Sequence, residues 1–398
     1  MGEGDGVKRK ERVIVAMSGG VDSSVAALLL KSEGYEVIGV TMYLWPSAGD
    51  SFRSCCGFSG VSDAEQVAWK IGIPHYVMDF REEFKKKVVD YFCSAYLSGQ
   101  TPNPCIACNR YLKFGTLLQR ALGIGADFIA TGHYARITKD GFKGPYRLRT
   151  GIDARKDQSY FLYPMGQFEL ARVLFPLGKL RKDDVRKIAR EAGLPVANKP
   201  ESQDVCFVEG DYGDFVERWS EIPPARGYFR RRNGRWLGPH QGFHRYTIGQ
   251  RRGLGLSLGH PVYVVDLDPE TGTVWVGGEE FLYSKFLIAE DVIYTSGYPF
   301  SGSKQVRVKV RFRAPLVEAV ATPVGERKLY IEFSEPQRAI TPGQAVVLYE
   351  NDEVVAGGTI ARLGREGIKD FEAFYKDKVW ASSHGGYCPQ PAYRSYSA

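Results

Sequence analysis

Through its first two hundred residues the chain alternates between two periods. Apolar runs at 13–17 (VIVAM), 35–44 (YEVIGVTMYL), 73–80 (IPHYVMDF) and 127–134 (DFIATGHY) have the length of strands buried on both faces. Between them, 21–33, 62–71, 81–97 and 110–122 carry apolar residues at helical spacing. Residues 181–192 (RKDDVRKIAREA), stopped by Gly193, make one more amphipathic helix. This alternation predicts parallel strands joined by crossover helices, an open α/β sheet whose ligands bind beyond the carboxyl ends of its strands.

The texture changes near residue 210. "GYFRRRNGRWLGPHQGFHRYTIGQRRGLGLSLGH" is rich in glycine, arginine and short strands, and "PVYVVDLDPETGTVWVGG" reads as a hairpin with Asp268, Pro269 and Gly272 in its turn. From about 285 to 363 strand patterns recur between turn residues, which predicts a small β-barrel or sandwich. The chain therefore divides into an α/β domain at 1–210, a small central β-rich domain at 211–283, a C-terminal β-barrel at 284–365, and a tail at 366–398 without clear period.

Composition narrows the classes. A hydrophobic content of 43% is enough for packed cores, and no apolar run is long enough to cross a bilayer. The polar start "MGEGDGVKRKER" and the short run after it lack a signal-peptide core, so the expectation is a cytoplasmic protein with no membrane partner. Seven cysteines in that setting favour catalysis, metal binding or burial over a disulfide framework. The net charge of +7 fits a nucleic-acid partner without requiring one.

Candidate chemistry sits at the turns. After VIVAM, the turn Ser18-Gly19-Gly20 opens the helical stretch VDSSVAALLLKSEG, leaving backbone N–H groups at a helix N-terminus where phosphate binds well. Ser18, Ser23 and Ser24 add hydroxyl donors. Asp22 is a poor neighbour for bare phosphate and suits a bound Mg²⁺. Two glycines alone fit a structural turn. The complete S-G-G-x-D-S directly after the first strand favours the phosphate site, although neither the Walker pattern nor G-x-G-x-x-G is present.

In "TPNPCIACNRYLKFG" (101–115) two prolines hold the chain extended before Cys105, and a helical pattern begins around Asn109 or Arg110. That puts Cys108 at a helix N-terminus near Arg110 and Lys113, which favours the reactive thiolate. "ESQDVCFV" (201–208) adds Cys206. The C-x-x-C of Cys105 and Cys108 also fits a redox pair or half a zinc site, but no second C-x-x-C follows. Cys93 reads as a buried small hydrophobe; for Cys55 and Cys56 a loop and a minor ligand role both stay open. "RVKVRFR" (307–313) alternates Val308, Val310 and Phe312 with Arg307, Lys309, Arg311 and Arg313, a cationic stripe suited to phosphates and equally to a solvated face.

"SGGVDSS" resembles the PP-loop of the ATP pyrophosphatases, which split ATP between its α and β phosphates. The ordered series "VAMSGGVDSSVAA", "TPNPC-IACN", "ATGHYAR", "KDQSYFLY", "SQDVCF" and "HRYTIGQRRGLG", from about residue 12 to about 363, resembles the tRNA-specific 2-thiouridylases. The resemblance implies a PP-loop domain followed by two β domains. It implies ATP-dependent adenylation of the C2 oxygen of the wobble uridine in a tRNA anticodon arm, then sulfur transfer giving 2-thiouridine, AMP and pyrophosphate. Cys108 would be the nucleophile and Cys206 the persulfide carrier, charged by a sulfur-donor protein such as a cysteine desulfurase or relay protein. ATP, with Mg²⁺, would be held by Ala16, Met17, Ser18, Gly19, Gly20, Val21, Asp22, Ser23, Met42 and Gly132. Asn103, Pro104 and Cys105 would face the target base. His133, Lys156, Asp157, Gln158, Arg311, Phe312 and Gln344 would touch the tRNA.

Many members of that family carry aspartate where this chain has Cys105. Cys105, Cys108 and Cys206 are therefore candidate ligands of a 4Fe–4S cluster, in place of the persulfide relay. In the rival reading Cys105 is a bystander and Cys108 pairs with Cys206 as a disulfide when oxidised. Two other classes compete. Another PP-loop enzyme acting on a small carboxylate or carbonyl would not need Cys108, Cys206 or a cationic β domain, and an RNA-binding module with structural ATP would release no AMP.

Overall fold

In the computed structural model, which describes residues 9–45, 58–200, 205–221, 226–231 and 233–362, the first half of the chain builds a five-stranded sheet. The tail at 366–398 and Cys55, Cys56 and Cys388 lie outside the described residues. The strands follow the order His75–Asp79, Glu36–Tyr43, Arg12–Ala16, Phe128–Ala130 and Val173–Leu174, and every neighbouring pair is parallel. Val13 and Val15 pack with Val25, Leu30 and Val185 on one face, while Ile14 packs with Phe84, Phe92 and Leu117 on the other. Helices cover both faces, which is why these strands read as unbroken apolar runs. The chain reverses its order at the central pair, Arg12–Ala16 beside Phe128–Ala130, so a crevice opens beyond their carboxyl ends.

Two local expectations change. The run 127–134 is strand only over Phe128–Ala130; Thr131-Gly132-His133 leaves the sheet as a loop into the crevice. The helix expected from Asn109 or Arg110 starts earlier, at Pro104. Asn103 caps it, its Oδ1 accepting from the Ile106 N–H at 3.3 Å, and Pro104 takes the first helical position, where a missing N–H costs nothing. The helix runs through Pro104–Ala107, widens to a π-helix over Cys108–Leu117 and ends in Leu118–Gly123. Cys105 therefore occupies the first turn and Cys108 lies one turn inside.

Strands Gly227–Arg231, Trp236–His240, Tyr263–Asp268 and Thr273–Gly277 form a separate four-stranded sheet around Phe229, Val264, Val274 and Val276. The expected hairpin is its outer pair; Asp268 Oδ1 accepts from the N–H groups of Glu270 and Thr271, and Gly272 turns with φ +64°. Six strands, Tyr283–Tyr294, Lys304–Lys309, Val317–Gly325, Lys328–Arg338, Ala345–Glu350 and Glu353–Ile360, close into a barrel, the first pairing with the last. A hairpin of the α/β half, Ala135–Lys139 with Tyr146–Thr150, adds to the barrel edge through Leu148 opposite Val354. Arg136 and Arg149 meet Asp352 at 2.7 and 2.6 Å across that seam.

Strand Ala345–Glu350 shows how the halves join. Val346 and Leu348 fill the barrel, whereas Ala345, Val347 and Tyr349 enter the core of the α/β half. The cationic stripe does not form as expected. Its strand ends at Lys309, Arg311–Arg313 make a turn, and the Arg311 guanidinium is drawn inward to Ala339 O and Thr341 Oγ1. Arg307 donates to Asn351 O at 2.5 Å. Backbone carbonyls without strand partners thus capture two of the four cations.

Candidate active site

The turn after Arg12–Ala16 is shaped by glycine. Gly19 has φ +70°, and a Cβ there would collide with the Gly60 carbonyl. Gly20 caps helix Val21–Ser32 in extended conformation with no side-chain bond, which leaves the first N–H groups for a ligand. The Ser18 N–H donates to Ser23 Oγ at 3.2 Å, closing the loop on itself. Ser24 differs from expectation: it is fully buried and its hydroxyl donates to Gly20 O at 2.8 Å, so it shapes the turn and offers nothing to phosphate. Val21 likewise points into the core.

From this turn a cleft of about 290 Å³ runs toward the cysteines. Ala16, Met17, Ser18, Asp22 and Ser23 line the end at the turn. Met42, at the end of strand Glu36–Tyr43, and Gly132, after Phe128–Ala130, line it from either side. Gly132 has no room for a Cβ, which would stand 2.7 Å from Ser23 N and 2.8 Å from the Asp22 carbonyl carbon. The other end carries Pro104, Cys105, Cys108 and Cys206. The thiols come from two remote segments. Cys206 sits on a turn, Val208 N–H to Val205 O, anchored by buried Phe207 against Phe84, Phe92 and Phe215 at ring distances of 5.5, 5.2 and 5.4 Å.

Lys113 lines the cleft and donates to Asn109 Oδ1 at 2.9 Å; Arg110 does not line it, its guanidinium lying 5.2 Å over the Tyr111 ring. Cys93 is buried away from the site, and burial pushes its thiol up to about 12, an inert state. His133 faces the cleft, its Nδ1 2.7 Å from Thr131 Oγ1 and its ring between Phe114 and Phe175. Burial, helped by the Lys113 charge, holds His133 well below the usual imidazole range, so the ring is neutral.

The positions expected at the tRNA do not gather in one place. Gln158 lines the cleft, with Oε1 accepting from the Tyr134 N–H at 3.1 Å. Asp157 is buried, receiving the N–H groups of Gly151 and Ser159 and the Ser159 hydroxyl; burial raises its carboxyl above the ordinary range. Lys156 lies beside this turn, partly exposed. The Phe312 ring packs tilted against Phe161 at 4.4 Å, and Gln344 donates to the Thr101 carbonyl at 2.9 Å and the Pro102 carbonyl at 3.3 Å. Gln344 thus reaches the 101–104 segment from the barrel. Asn103, as the helix cap, is occupied locally.

The cluster expectation meets a geometric objection. Cys93, Cys105, Cys108 and Cys206 are thiols, and among the described residues no three His, Cys, Asp or Glu side chains are arranged to hold a metal ion. Cys105 stands exposed in the first turn while Cys108 and Cys206 are half-buried. The three thiols share a cleft without being gathered into a metal-holding group.

Two lysines escaped the sequence reading. Lys182 Nζ meets Asp22 Oδ1 and Oδ2 at 2.7 and 2.8 Å, and the Tyr134 hydroxyl donates to the same carboxylate at 2.7 Å. Lys199 donates to the Gly19 carbonyl at 3.1 Å and pairs with Asp63. A signal existed for the first. Lys182 opens helix Lys182–Glu191, at the end where the helix dipole disfavours a cation.

Residues 11–210 match the family described as the tRNA methyl transferase HUP domain, 213–278 its PRC-barrel domain, and 284–360 the aminomethyltransferase beta-barrel domain. A tRNA-specific 2-thiouridylase MnmA 1 of Thermoanaerobacter pseudethanolicus is 49% identical over 90% of this chain and 100% of its own length. Proteins named tRNA-specific 2-thiouridylase MnmA from Carboxydothermus hydrogenoformans and Moorella thermoacetica are 50% and 52% identical, over 89% and 88% of this chain and 98% and 100% of theirs.

Proposed function

The chain belongs to the tRNA-specific 2-thiouridylase family, and on that premise we propose how the cleft beside the Ser18–Ser23 turn divides the reaction. The protein is an ATP-using tRNA-uridine 2-sulfurtransferase. The Ser18–Ser23 turn holds the phosphates of ATP, with Met42 and Gly132 flanking the nucleotide. Asp22 is the residue that would hold Mg²⁺, which supplies charge neutralisation at the phosphates when bound. The C2 oxygen of the wobble uridine attacks the α-phosphorus; the bond to the β-phosphate oxygen breaks, and pyrophosphate leaves with the electron pair. Attachment of AMP turns a poor leaving oxygen into a good one.

Sulfur arrives as a persulfide on Cys206, supplied by a donor protein. Its terminal sulfur attacks C2 and AMP departs. The Cys108 thiolate then attacks the Cys206 sulfur, leaving 2-thiouridine and a Cys108–Cys206 disulfide that an external thiol reduces. Neutral His133, at the cleft wall, offers a hydrogen-bonding group to the base without adding charge. Pro104 and Cys105 flank the base, and Lys156, Phe312 and Gln344 belong to the surface that receives the anticodon arm. A cytoplasmic setting suits a reaction on tRNA; among the described residues no helix is long and apolar enough to cross a membrane.

The observation that carries this reading is the continuity of one cleft from the phosphate turn to Cys108 and Cys206. The relay is preferred to the cluster because the three thiols do not form a metal-holding group. Anaerobic purification with iron and sulfide analysis tests that choice. Iron-free protein with full thiolation supports the relay, and stoichiometric iron lost in Cys105→Ala reverses it.

A further inference from the structure

Lys182 is an unusual lysine. Its side chain is 6% exposed, it starts a helix whose dipole opposes its charge, and its backbone N–H is already taken by Asp153 Oδ2 at 3.1 Å. An ammonium so placed needs an anion. Asp22 supplies it through both carboxylate oxygens, and Asp22 alone of the pair lines the cleft. Asp22 is also the second residue of helix Val21–Ser32, at the end that receives phosphate. A carboxylate thus stands at the approach to the turn, with a buried lysine paired to it from outside the cleft lining.

We propose that Lys182 is a pyrophosphate ligand whose charge is stored on Asp22 until nucleotide arrives. The inference rests on the reading of the Ser18–Ser23 turn as a phosphate site. Asp22 and phosphate compete for one ammonium. When the phosphates enter, Lys182 passes from the carboxylate to their oxygens, and Asp22 is released for the metal. The exchange keeps the buried ammonium paired throughout, so no uncompensated charge is left in the protein. It also puts a cation where charge develops as the bond between the α and β phosphates breaks. Tyr134, whose hydroxyl donates to Asp22, steadies the carboxylate in the stored arrangement.

The test is pyrophosphate and AMP binding to the full chain, each with and without Mg²⁺, in wild type, Lys182→Met, Lys182→Arg, Asp22→Asn and the Asp22→Asn/Lys182→Met double variant. Lys182→Met is expected to weaken pyrophosphate about 10- to 100-fold, the worth of a charge-assisted hydrogen bond, with AMP changed by about twofold or less. Lys182→Arg keeps most of the affinity. Asp22→Asn removes the competitor, so metal-free pyrophosphate binds more tightly than to wild type; a merely structural ion pair would give the opposite sign. If Lys182→Met fails to fold, the neutral double variant carries the same measurement. Wild-type pyrophosphate affinity in Lys182→Met, affinity in the double variant equal to that of Asp22→Asn, or weaker metal-free binding in Asp22→Asn, overturns the proposal. Wild type that binds no pyrophosphate overturns instead the phosphate reading beneath it.

Discussion

The two ends of the cleft are built by opposite strategies. The end at the turn is built largely by one short segment, Ala16 to Ser23, closed by the Ser18–Ser23 hydrogen bond, and its surroundings leave Gly19 and Gly132 no room for a Cβ. The thiol end is assembled from afar. Cys108 rides on a helix whose entry segment is held by Gln344 and the Pro342 carbonyl beside the barrel, and Cys206 hangs on a turn fixed by Phe207. Phosphate recognition needs a rigid local nest of N–H groups. Sulfur transfer needs two thiols and a base brought together, which no single segment can do.

Substitution should separate the two ends. Cys108→Ser should abolish 2-thiouridine while leaving ATP affinity unchanged, as nucleoside mass spectrometry and equilibrium binding would show. Loss of ATP binding in that variant would mean the ends are one unit. Phe207→Ala empties an aromatic cluster and should cost about 3–5 kcal/mol in denaturant unfolding. Under conditions where it stays folded, thiolation should fall further than ATP binding.

Gly343→Ala acts at longer range. The glycine has φ +87°, and a Cβ there would stand 2.9 Å from both Gln100 Cβ and Thr101 N. The expected cost is about 1–3 kcal/mol, with thiolation reduced and ATP affinity retained. Equal loss of both would place the barrel's influence at the whole cleft.

The pH response is smaller. Burial lowers the pKa of His133, and of His75 and His240 also. Such groups stay neutral when folded but take a proton when unfolded, so stability is full above the unfolded value near 6.5 and declines as pH falls below it. For His133 the loss between pH 7.5 and 6 should be at most about 1 kcal/mol. His133→Gln should remove that share from a melting series, and an unaltered pH profile would show that the ring titrates freely.

The same contrast explains what the sequence could tell. The parallel sheet and the Ser18–Ser23 turn were legible because each depends on local period and on glycine. The extra strand Val173–Leu174 has two residues, too few to carry a period. Run "AVVLYE" shows no alternation because both of its faces are buried, one in each half of the molecule. The 307–313 alternation was real to Lys309 and failed where Arg311 found internal carbonyls, a partner that sequence does not show. Likewise Lys182 lies 160 residues from Asp22, and only the fold joins them. Cys108 was found by motif, but its place one turn inside the helix followed from Asn103 and Pro104 acting as cap and first residue.

The central claim is that one cleft performs adenylation at the phosphate turn and sulfur transfer at Cys108 and Cys206. Its most direct test is incubation of unmodified tRNA with ATP, Mg²⁺ and a sulfur donor, with mass spectrometry of the nucleosides and quantification of AMP. Wild type should form 2-thiouridine at the wobble position with AMP in equal amount, and Cys108→Ser and Cys206→Ser should form none. 2-Thiouridine made at wild-type yield by either cysteine variant would contradict the account.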